Sequence, residues 1–319
     1  MRKIVAFNKM ADPLTYEKER LGAFSDVEII KSPATTEEEM IKDARDAEVV
    51  LFTSAAFPKK VIDGLESCRV IQRYGIGYDT VDTEAAREKG IFVCNSPNYG
   101  VVDVAEHAFA LILASLKRLV KMNDRVRDNN WGYENMGKSN RLSGKTVGFL
   151  GFGKIARAVA GFTLPFGTKN IVYDPYVSQD ALAPFGAEAV SLEALFKEAD
   201  VITVHLPLCD ATRHTVGCEQ LSLMKPTAIL VNTSRGPVID EAALIDALVS
   251  GRIAGAGLDV FEDEEGRIDK RILSLDNVVL TPHVAWNTVE AVDAIHEEVT
   301  ENIVKYLTEG RPGNIVNGL

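Results

Sequence analysis

The stretch TVGFLGFGKIARAVAGF, residues 146–162, decides the fold class. It opens as an apolar, strand-like run, passes through GFG and continues directly as a helical pattern. Gly151 permits a tight turn, Gly153 lets the backbone approach a pyrophosphate at the helix N-terminus, and Ala156 is small enough for close helix–strand contact. Asp174 ends the next strand-like run. Because strand, glycines, helix and acid are in register, the stretch predicts a dinucleotide-binding βαβ unit rather than a chance glycine-rich turn.

Asp174 also indicates which dinucleotide binds. A carboxylate at the end of the second strand accepts hydrogen bonds from the adenosine ribose hydroxyls and repels a 2′-phosphate. No arginine that could hold such a phosphate follows in residues 174–180, DPYVSQD. The sequence therefore predicts NAD rather than NADP.

Strand-like and helical segments alternate over almost the whole chain. The predicted strands lie at residues 3–7, 27–30, 49–53, 69–74, 91–95, 146–150, 171–174, 201–206, 228–232, 254–259 and 278–282. Strands that alternate with helices form parallel sheets covered on both faces. Two such sets in 319 residues predict an α/β protein with two Rossmann-like, doubly wound domains and a cleft between them.

The domain boundaries follow from two helical patterns. A long apolar helix over residues 101–119 precedes the second set of strands. A last helix, about residues 289–307, is followed only by a short tail, so we expect it to cross back to the first domain. This predicts a discontinuous substrate-binding domain, residues 1–99 and 288–319, and an NAD-binding domain, residues 100–287.

Composition excludes several classes of protein. The net charge of −11 is opposite to that of a nucleic-acid-binding surface. The longest apolar run, residues 104–116, is too short to span a bilayer, and the first residues do not resemble a signal peptide. We therefore expect neither a nucleic-acid nor a membrane partner, and a cytoplasmic protein with reduced thiols and no metal site. The cysteines, which lack CxxC or zinc-ligand spacing, are Cys68, Cys94, Cys209 and Cys218.

Charged residues follow three of the later predicted strands: Arg235 in VNTSRGP, Glu264 in DVFEDEE and His283 in LTPHVAW. The carboxyl ends of parallel strands meet at one edge of a sheet, where ligands bind. A guanidinium can clamp a carboxylate, and an imidazole can transfer a proton. Taken singly, each residue could instead form a surface ion pair or pack in a loop.

In these segments the chain resembles the D-isomer-specific 2-hydroxyacid dehydrogenases over essentially its whole length. The matching stretches, in order, are RYGIGYDTVD, GKTVGFLGFGKIA, VNTSRGPVIDEAAL, GLDVFEDEE and LTPHVAW. The resemblance implies reversible NAD-linked reduction of a 2-oxo acid to a D-2-hydroxy acid by a homodimer. It implies that Arg235 holds the substrate carboxylate and that His283 transfers the proton, oriented by Glu264.

The resemblance also implies further ligand contacts, which are Lys154 and Ile155 at the glycine turn, Pro207 and Thr212 beside ribose and phosphates, Thr233 and Asp259 around the nicotinamide, and Val104 against its ring. For the substrate carboxylate it implies the backbone N–H groups of Ile76 and Gly77, with Arg73 nearby. Trp286 would line the mouth of the site and favour an apolar substrate tail.

Two departures from the family pattern leave alternatives open. Glu265 replaces the usual proline after the catalytic glutamate, so Glu262 and Glu265 compete with Glu264 as the partner of His283. The VAW after His283 is closest to a branch with the C-terminal-binding-protein corepressors, which makes an NAD-sensing interaction protein one alternative. Phosphoglycerate dehydrogenase is the other, although residues 51–57, LFTSAAF, offer no cation for a phosphate. The remaining histidines are interpreted as packed or solvated, with His214 and His296 on helical surfaces and His107 and His205 on an apolar helix and a strand end.

Overall fold

The structure is a computed structural model that describes residues 1–7, 14–134, 137–264 and 268–319. The chain divides into two compact units. Unit 1 comprises Met1–Gly100 and Thr288–Leu319, and unit 2 comprises Val101–Asn287. Each unit contains one all-parallel sheet flanked by helices, which confirms the predicted α/β class.

The helices and strands of the described residues run in this order: β1 (Arg2–Phe7), α1 (Thr15–Leu21), β2 (Val27–Lys31), α2 (Glu37–Ala44), β3 (Val49–Phe52), α3 (Lys59–Gly64), β4 (Val70–Arg73), α4 (Thr83–Glu88), β5 (Phe92–Cys94), α5 (Val101–Lys117), α6 (Leu119–Arg127), β6 (Thr146–Leu150), α7 (Lys154–Thr163), β7 (Lys169–Tyr173), α8 (Gln179–Leu182), β8 (Ala187–Ala189), α9 (Leu192–Glu198), β9 (Val201–Val204), α10 (Cys218–Leu223), β10 (Ile229–Asn232), α11 (Glu241–Val249), β11 (Gly255–Leu258), α12 (Lys270–Leu273), β12 (Val278–Leu280) and α13 (Val289–Glu309). Short 3₁₀ turns lie at Leu164–Phe166, Ala183–Phe185 and Gly236–Val238.

Unit 1 is built on a sheet with strand order β2-β1-β3-β4-β5. The last helix, α13, packs against α1 and buries Ile295, Val299 and Ile303, which recur every four residues and so share one helix face. The Thr288 side chain caps this helix by accepting from the Ala291 N–H at 3.0 Å. The apolar stripe and the cap explain why the chain returns to unit 1 after residue 287.

Unit 2 has the strand order β12-β11-β10-β9-β6-β7-β8. From β6 the chain first builds outward to β7 and β8 and then returns to the other side of β6 with β9. The order therefore reverses between β6 and β9, and a crevice at such a point binds ligands at the carboxyl ends of the strands. Strand β8 was not predicted, because its sequence AEA has no β-branched residue and only Ala187 is buried.

Helix α5 covers β10 and β11 of this sheet. A Cβ on Gly257 would lie 3.0 Å from Leu111 Cβ, so the small residues of β11 let the helix approach the sheet closely. In the described part of the chain, no helix has both the length and the apolar character needed to cross a membrane.

Candidate active site

The glycine loop after β6 leaves room for a pyrophosphate. Gly151 has φ of +87°, and a Cβ there would lie 2.8 Å from the His205 carbonyl oxygen, so only glycine fits. A Cβ on Gly153 would meet nothing within 4 Å. Gly153 is the N-cap of α7, which begins at Lys154, and the first N–H groups of a helix have no partner within it. The open space at Gly153, beside the start of α7, fits an anion.

Asp174 follows β7 and is half-buried beside the glycine loop. Its Oδ2 accepts from the Phe152 N–H at 2.8 Å, and its Oδ1 accepts from the Tyr176 N–H at 2.9 Å. A carboxylate has about four acceptor positions, so both oxygens can accept again. Asp174 thus holds the glycine loop in place and retains the capacity to bind a ribose diol.

Other residues predicted for the cofactor lie on neighbouring loops of unit 2. The Thr212 hydroxyl donates to the Pro207 carbonyl at 2.6 Å and accepts from the Cys209 N–H at 2.9 Å, which shapes the loop after β9. Thr233 Oγ1, after β10, is buried and has no hydrogen-bond partner among the described residues. A buried hydroxyl without a hydrogen-bond partner destabilises the fold unless a bound ligand supplies that partner. With the open glycine loop, and with Val104 buried on α5, these residues fit a dinucleotide.

Two further strand ends bring an imidazole and a carboxylate together. Glu264, after β11, places Oε2 2.6 Å from Nδ1 of His283, after β12. Glu264 Oε1 accepts from the Phe261 N–H at 3.3 Å. Because Nδ1 faces the carboxylate, Nε2 on the other side of the ring is the nitrogen that can exchange a proton with a ligand; no described residue bonds to it.

The charge of Glu264 is set by opposing effects. Burial raises its pKa, but the hydrogen bond and charge of His283, the Phe261 N–H and the charge of Arg235 together lower that pKa below its ordinary value. Glu264 is therefore ionised at neutral pH.

The competing glutamate has another partner. Glu262 Oε1 lies 2.7 Å from Nε2 of His214, and its N–H donates to Glu241 at 2.9 Å. Glu265 lies outside the described residues. The prediction that His214 lies on a helical surface is wrong. It occupies a turn with φ of 53°, where it is exposed beside this carboxylate.

Arg235 is held by the turn after β10. The Asn232 side chain donates to the Arg235 carbonyl at 2.9 Å and accepts from the Ser234 N–H at 3.0 Å. A Cβ on Gly236 would lie 1.8 Å from the Phe261 carbonyl oxygen, so this turn can lie against the loop that carries Glu264 only with glycine there. One edge of the sheet thus carries Arg235, Glu264 and His283.

Beneath this edge, Asp259 fixes the turn that carries His283. Its carboxylate is 1% exposed and accepts from the Thr281 hydroxyl at 2.6 Å and from the N–H groups of Val284 and Ala285 at 2.9 Å. His283 has φ of 53°, a conformation that side chains rarely adopt, and its N–H donates to the Asp259 carbonyl at 2.8 Å. These bonds assign Asp259 a structural role; its contact with the nicotinamide stays a prediction.

His107 belongs to the same network, which sequence reasoning missed. Its Nε2 lies 3.0 Å from the Thr281 hydroxyl. Because that hydroxyl gives its one hydrogen to Asp259, it must accept from His107. The apolar pattern of α5 concealed this contact, which joins residues 174 positions apart.

The other two histidines serve packing. His205 bonds to the Thr203 hydroxyl at 2.9 Å, and burial lowers its pKa to about 3, so it is neutral. The prediction that His296 lies on a helical surface is wrong. It is 6% exposed, and its Nδ1 lies 2.6 Å from Glu17, which also accepts from the Tyr74 hydroxyl. Its partner lies 279 positions away in the chain, so local spacing could not reveal the contact.

The residues predicted for the substrate are divided between the units. Trp286 is partly buried after the His283 turn of unit 2. In unit 1, Ile76 and Gly77 lie in the loop after β4 and are partly exposed. Arg73 donates from Nε to the Gly77 carbonyl at 3.1 Å, and its guanidinium lies 5.3 Å from the centre of the Phe52 ring.

Comparison with known proteins identifies the family. The family model described as D-isomer specific 2-hydroxyacid dehydrogenase, NAD binding domain, matches residues 109–285. The chain belongs to this family. The resemblance read from the sequence is therefore confirmed.

Relatives and solved structures agree with this membership. The chain is 40% identical over 303 residues to glyoxylate reductase of Thermococcus litoralis, covering 92% of this chain and 91% of that protein. It is also 40% identical to D-3-phosphoglycerate dehydrogenase of Methanocaldococcus jannaschii, covering 91% of this chain but 55% of that one. The crystal structure of D-lactate dehydrogenase from Aquifex aeolicus, complexed with NAD and lactic acid, superposes with a TM-score of 0.89 at 32% identity and full coverage of both chains. This D-2-hydroxyacid dehydrogenase is an NAD(P)-dependent enzyme that reduces 2-oxo acids. The predicted reaction class is confirmed, and the preference for NAD over NADP stays a prediction.

Proposed function

We propose that this dehydrogenase reversibly reduces a small 2-oxo acid to the D-2-hydroxy acid with NADH, using Arg235, Glu264 and His283. The observation that carries this assignment is the 2.6 Å contact between Glu264 and His283 Nδ1, with Arg235 close enough to lower the pKa of the same carboxyl. A carboxylate–imidazole pair beside a guanidinium is suited to proton transfer on an anionic substrate.

Each side chain has a distinct part in the proposed reaction. The Arg235 guanidinium donates to the substrate carboxylate and draws electron density from the 2-oxo group. When bound, the nicotinamide cofactor supplies the hydride that C2 accepts. His283 gives the proton on Nε2 to the carbonyl oxygen as that oxygen becomes a hydroxyl, and Glu264 stabilises the imidazolium that donates it. In the oxidative direction His283 removes the same proton.

Residues of unit 2 would hold the cofactor. Gly151, Gly153 and the first N–H groups of α7 would cradle the pyrophosphate, with Lys154 and Ile155 at its entrance. Asp174 would bind the adenosine ribose, and its charge supports NAD over NADP. Thr233 would bond to the nicotinamide half through its unpartnered hydroxyl.

The substrate class is tested by following NADH absorbance with purified protein and a panel of 2-oxo acids. The panel contains glyoxylate, hydroxypyruvate, 4-methyl-2-oxopentanoate and 3-phosphohydroxypyruvate. Preferred turnover of an unphosphorylated acid supports the proposal, whereas preference for the phosphorylated acid would assign a phosphoglycerate dehydrogenase. If the protein binds NADH but reduces none of these acids, the result would contradict the proposal and favour an NAD-sensing interaction protein.

We also propose that the enzyme is a cytoplasmic homodimer. All four cysteines are free thiols, which fits a reducing compartment. On α6, Leu119, Val120 and Val126 are apolar yet 44% to 56% exposed, as expected of a surface that a second copy covers. Light scattering after gel filtration tests the dimer, and a monomeric mass at micromolar protein would contradict it.

A further inference from the structure

Carbonyl groups of the loop after β4 in unit 1 accept hydrogen bonds from buried side chains and from the backbone. The Arg73 carbonyl accepts from Gln72 Nε2 at 2.9 Å and from the Ser96 hydroxyl at 3.1 Å. The Gly75 carbonyl accepts from the Ser96 N–H at 2.9 Å. The Ile76 carbonyl accepts from Asn95 Nδ2 at 2.8 Å. The side chains that make these bonds come from β4 and from the segment after β5.

The N–H groups of the same loop differ from its carbonyl groups in their hydrogen bonding. Among the described residues, those of Gly75, Ile76 and Gly77 have no hydrogen-bond partner. Gly75 has φ of +148°, and Ile76 and Gly77 are partly exposed. Successive backbone N–H groups of this kind form a concave site for an anion such as a carboxylate. The loop therefore presents donors to a ligand because its acceptors are used within unit 1.

A series of hydrogen bonds that begins at Asn302 in α13 determines which atom of each amide donates. The Gly313 N–H donates to Asn302 Oδ1 at 2.5 Å, which requires Nδ2 of that amide to face Gln72. Asn302 Nδ2 donates to Gln72 Oε1 at 2.5 Å, so Gln72 Nε2 must in turn donate to the Arg73 carbonyl. Gln72 is 0% exposed and Asn302 5%, and buried amides held at both ends cannot flip without losing bonds.

We propose that Gln72, Asn95 and Asn302 are positioning residues that hold the loop with its N–H groups directed at the substrate carboxylate. This inference rests on the proposed function, because it takes the loop to bind the carboxylate of a 2-oxo acid. The three amides would act through the loop, without contacting substrate or cofactor. They act by keeping the carbonyls of Arg73 and Ile76 away from the anion, which those carbonyls would repel.

Asn95→Ala tests the proposal with the smallest disturbance, because it removes one donor, to the Ile76 carbonyl. We expect the KM for the preferred 2-oxo acid, and the Ki of oxalate as a dicarboxylate competitor, to rise about tenfold. The Kd for NADH, measured by fluorescence, should stay within about twofold. Gln72→Met should have the same effect on KM and Ki; if it fails to fold, Asn95→Ala alone decides.

Asn317 offers a matched control. It is a buried amide of unit 1 that donates to the Ile91 carbonyl at 2.8 Å and accepts from the Val93 N–H at 3.1 Å, away from the loop. Asn317→Ala should lower the melting temperature as Asn95→Ala does but leave KM and Ki unchanged. Equal KM values in wild type and Asn95→Ala, or equal increases in both variants, would overturn the inference while the proposed function stands. Wild-type protein that reduces no 2-oxo acid would instead refute the proposed function, and the inference with it.

Discussion

Replacing Glu264 with glutamine separates the charge of this side chain from its hydrogen bond. The amide keeps the size of the carboxyl group and an oxygen that can accept from His283 Nδ1, but it removes the negative charge. In the wild type this carboxylate places a negative charge 2.6 Å from Nδ1 of the proposed proton donor, and the contact with His283 helps to lower the pKa of Glu264. Glu264→Gln should therefore remove the electrostatic support for the proposed proton donor without misplacing the ring.

The size of this effect follows from the distance and the exposure of the pair. Two unit charges about 4 Å apart interact by about 4 kcal/mol near a protein surface. The His283 and Glu264 side chains are 40% and 35% exposed, so solvent screens the 2.6 Å pair strongly. Allowing for this screening, we expect Glu264→Gln to lose about 1.4 kcal/mol of the interaction free energy between the two side chains. This loss corresponds to a shift of about one pH unit in the pH profile.

The pH profile of 2-oxo acid reduction measures this change. Reduction needs the imidazolium as proton donor, so kcat/KM falls on the alkaline side, where the proton leaves. In Glu264→Gln the alkaline fall in kcat/KM should begin about one pH unit lower than in wild type. The rate at lower pH should stay within a few-fold of wild type. Glu262→Gln, which alters the His214 pair in the same loop, should leave the profile in place. An unmoved alkaline fall in Glu264→Gln, or the same shift in both variants, would refute the reasoning.

Substitutions at three further positions test other parts of the site. Asp174→Ser should reduce the preference for NADH over NADPH by about tenfold or more, measured as the ratio of kcat/KM values; an unchanged ratio would remove Asp174 from cofactor selection. Arg235→Gln should raise KM for the 2-oxo acid by about a hundredfold and lower kcat, with the NADH Kd unchanged; normal kinetics would exclude Arg235 from the substrate site. His107→Leu should lower kcat about tenfold, whereas His107→Gln, which can still donate to Thr281, should stay within about threefold of wild type. Equal kcat losses in the two His107 variants would show that this donor does not matter.

The parts of the site that follow strand ends could be predicted from the sequence. A parallel sheet places the carboxyl ends of its strands at one edge, so NTSRG, the acidic loop and TPH were expected to meet. The structure places Arg235, Glu264 and His283 at that edge. The glycine loop and Asp174 were equally readable, because each depends on a short, ordered pattern around one strand and one helix.

Contacts between distant segments could not be read in this way. His107 reaches Thr281 across 174 positions, and Asn302 reaches Gln72 across 230. Both pairs depend on how helices pack against the sheets. Hydrophobic periodicity predicts which face of a helix is buried, but not which residue each side chain contacts. Gly236 is another example, because only the packed structure shows that a side chain there would overlap the backbone of Phe261.

The central claim is that His283 transfers the proton during reduction of a 2-oxo acid. His283→Gln tests it most directly when turnover and NADH binding are measured on the same preparation. We predict that turnover of the preferred 2-oxo acid falls by about a hundredfold or more, while the Kd for NADH stays within about twofold of wild type. Turnover close to that of wild type, or loss of turnover only because NADH no longer binds, would contradict this assignment.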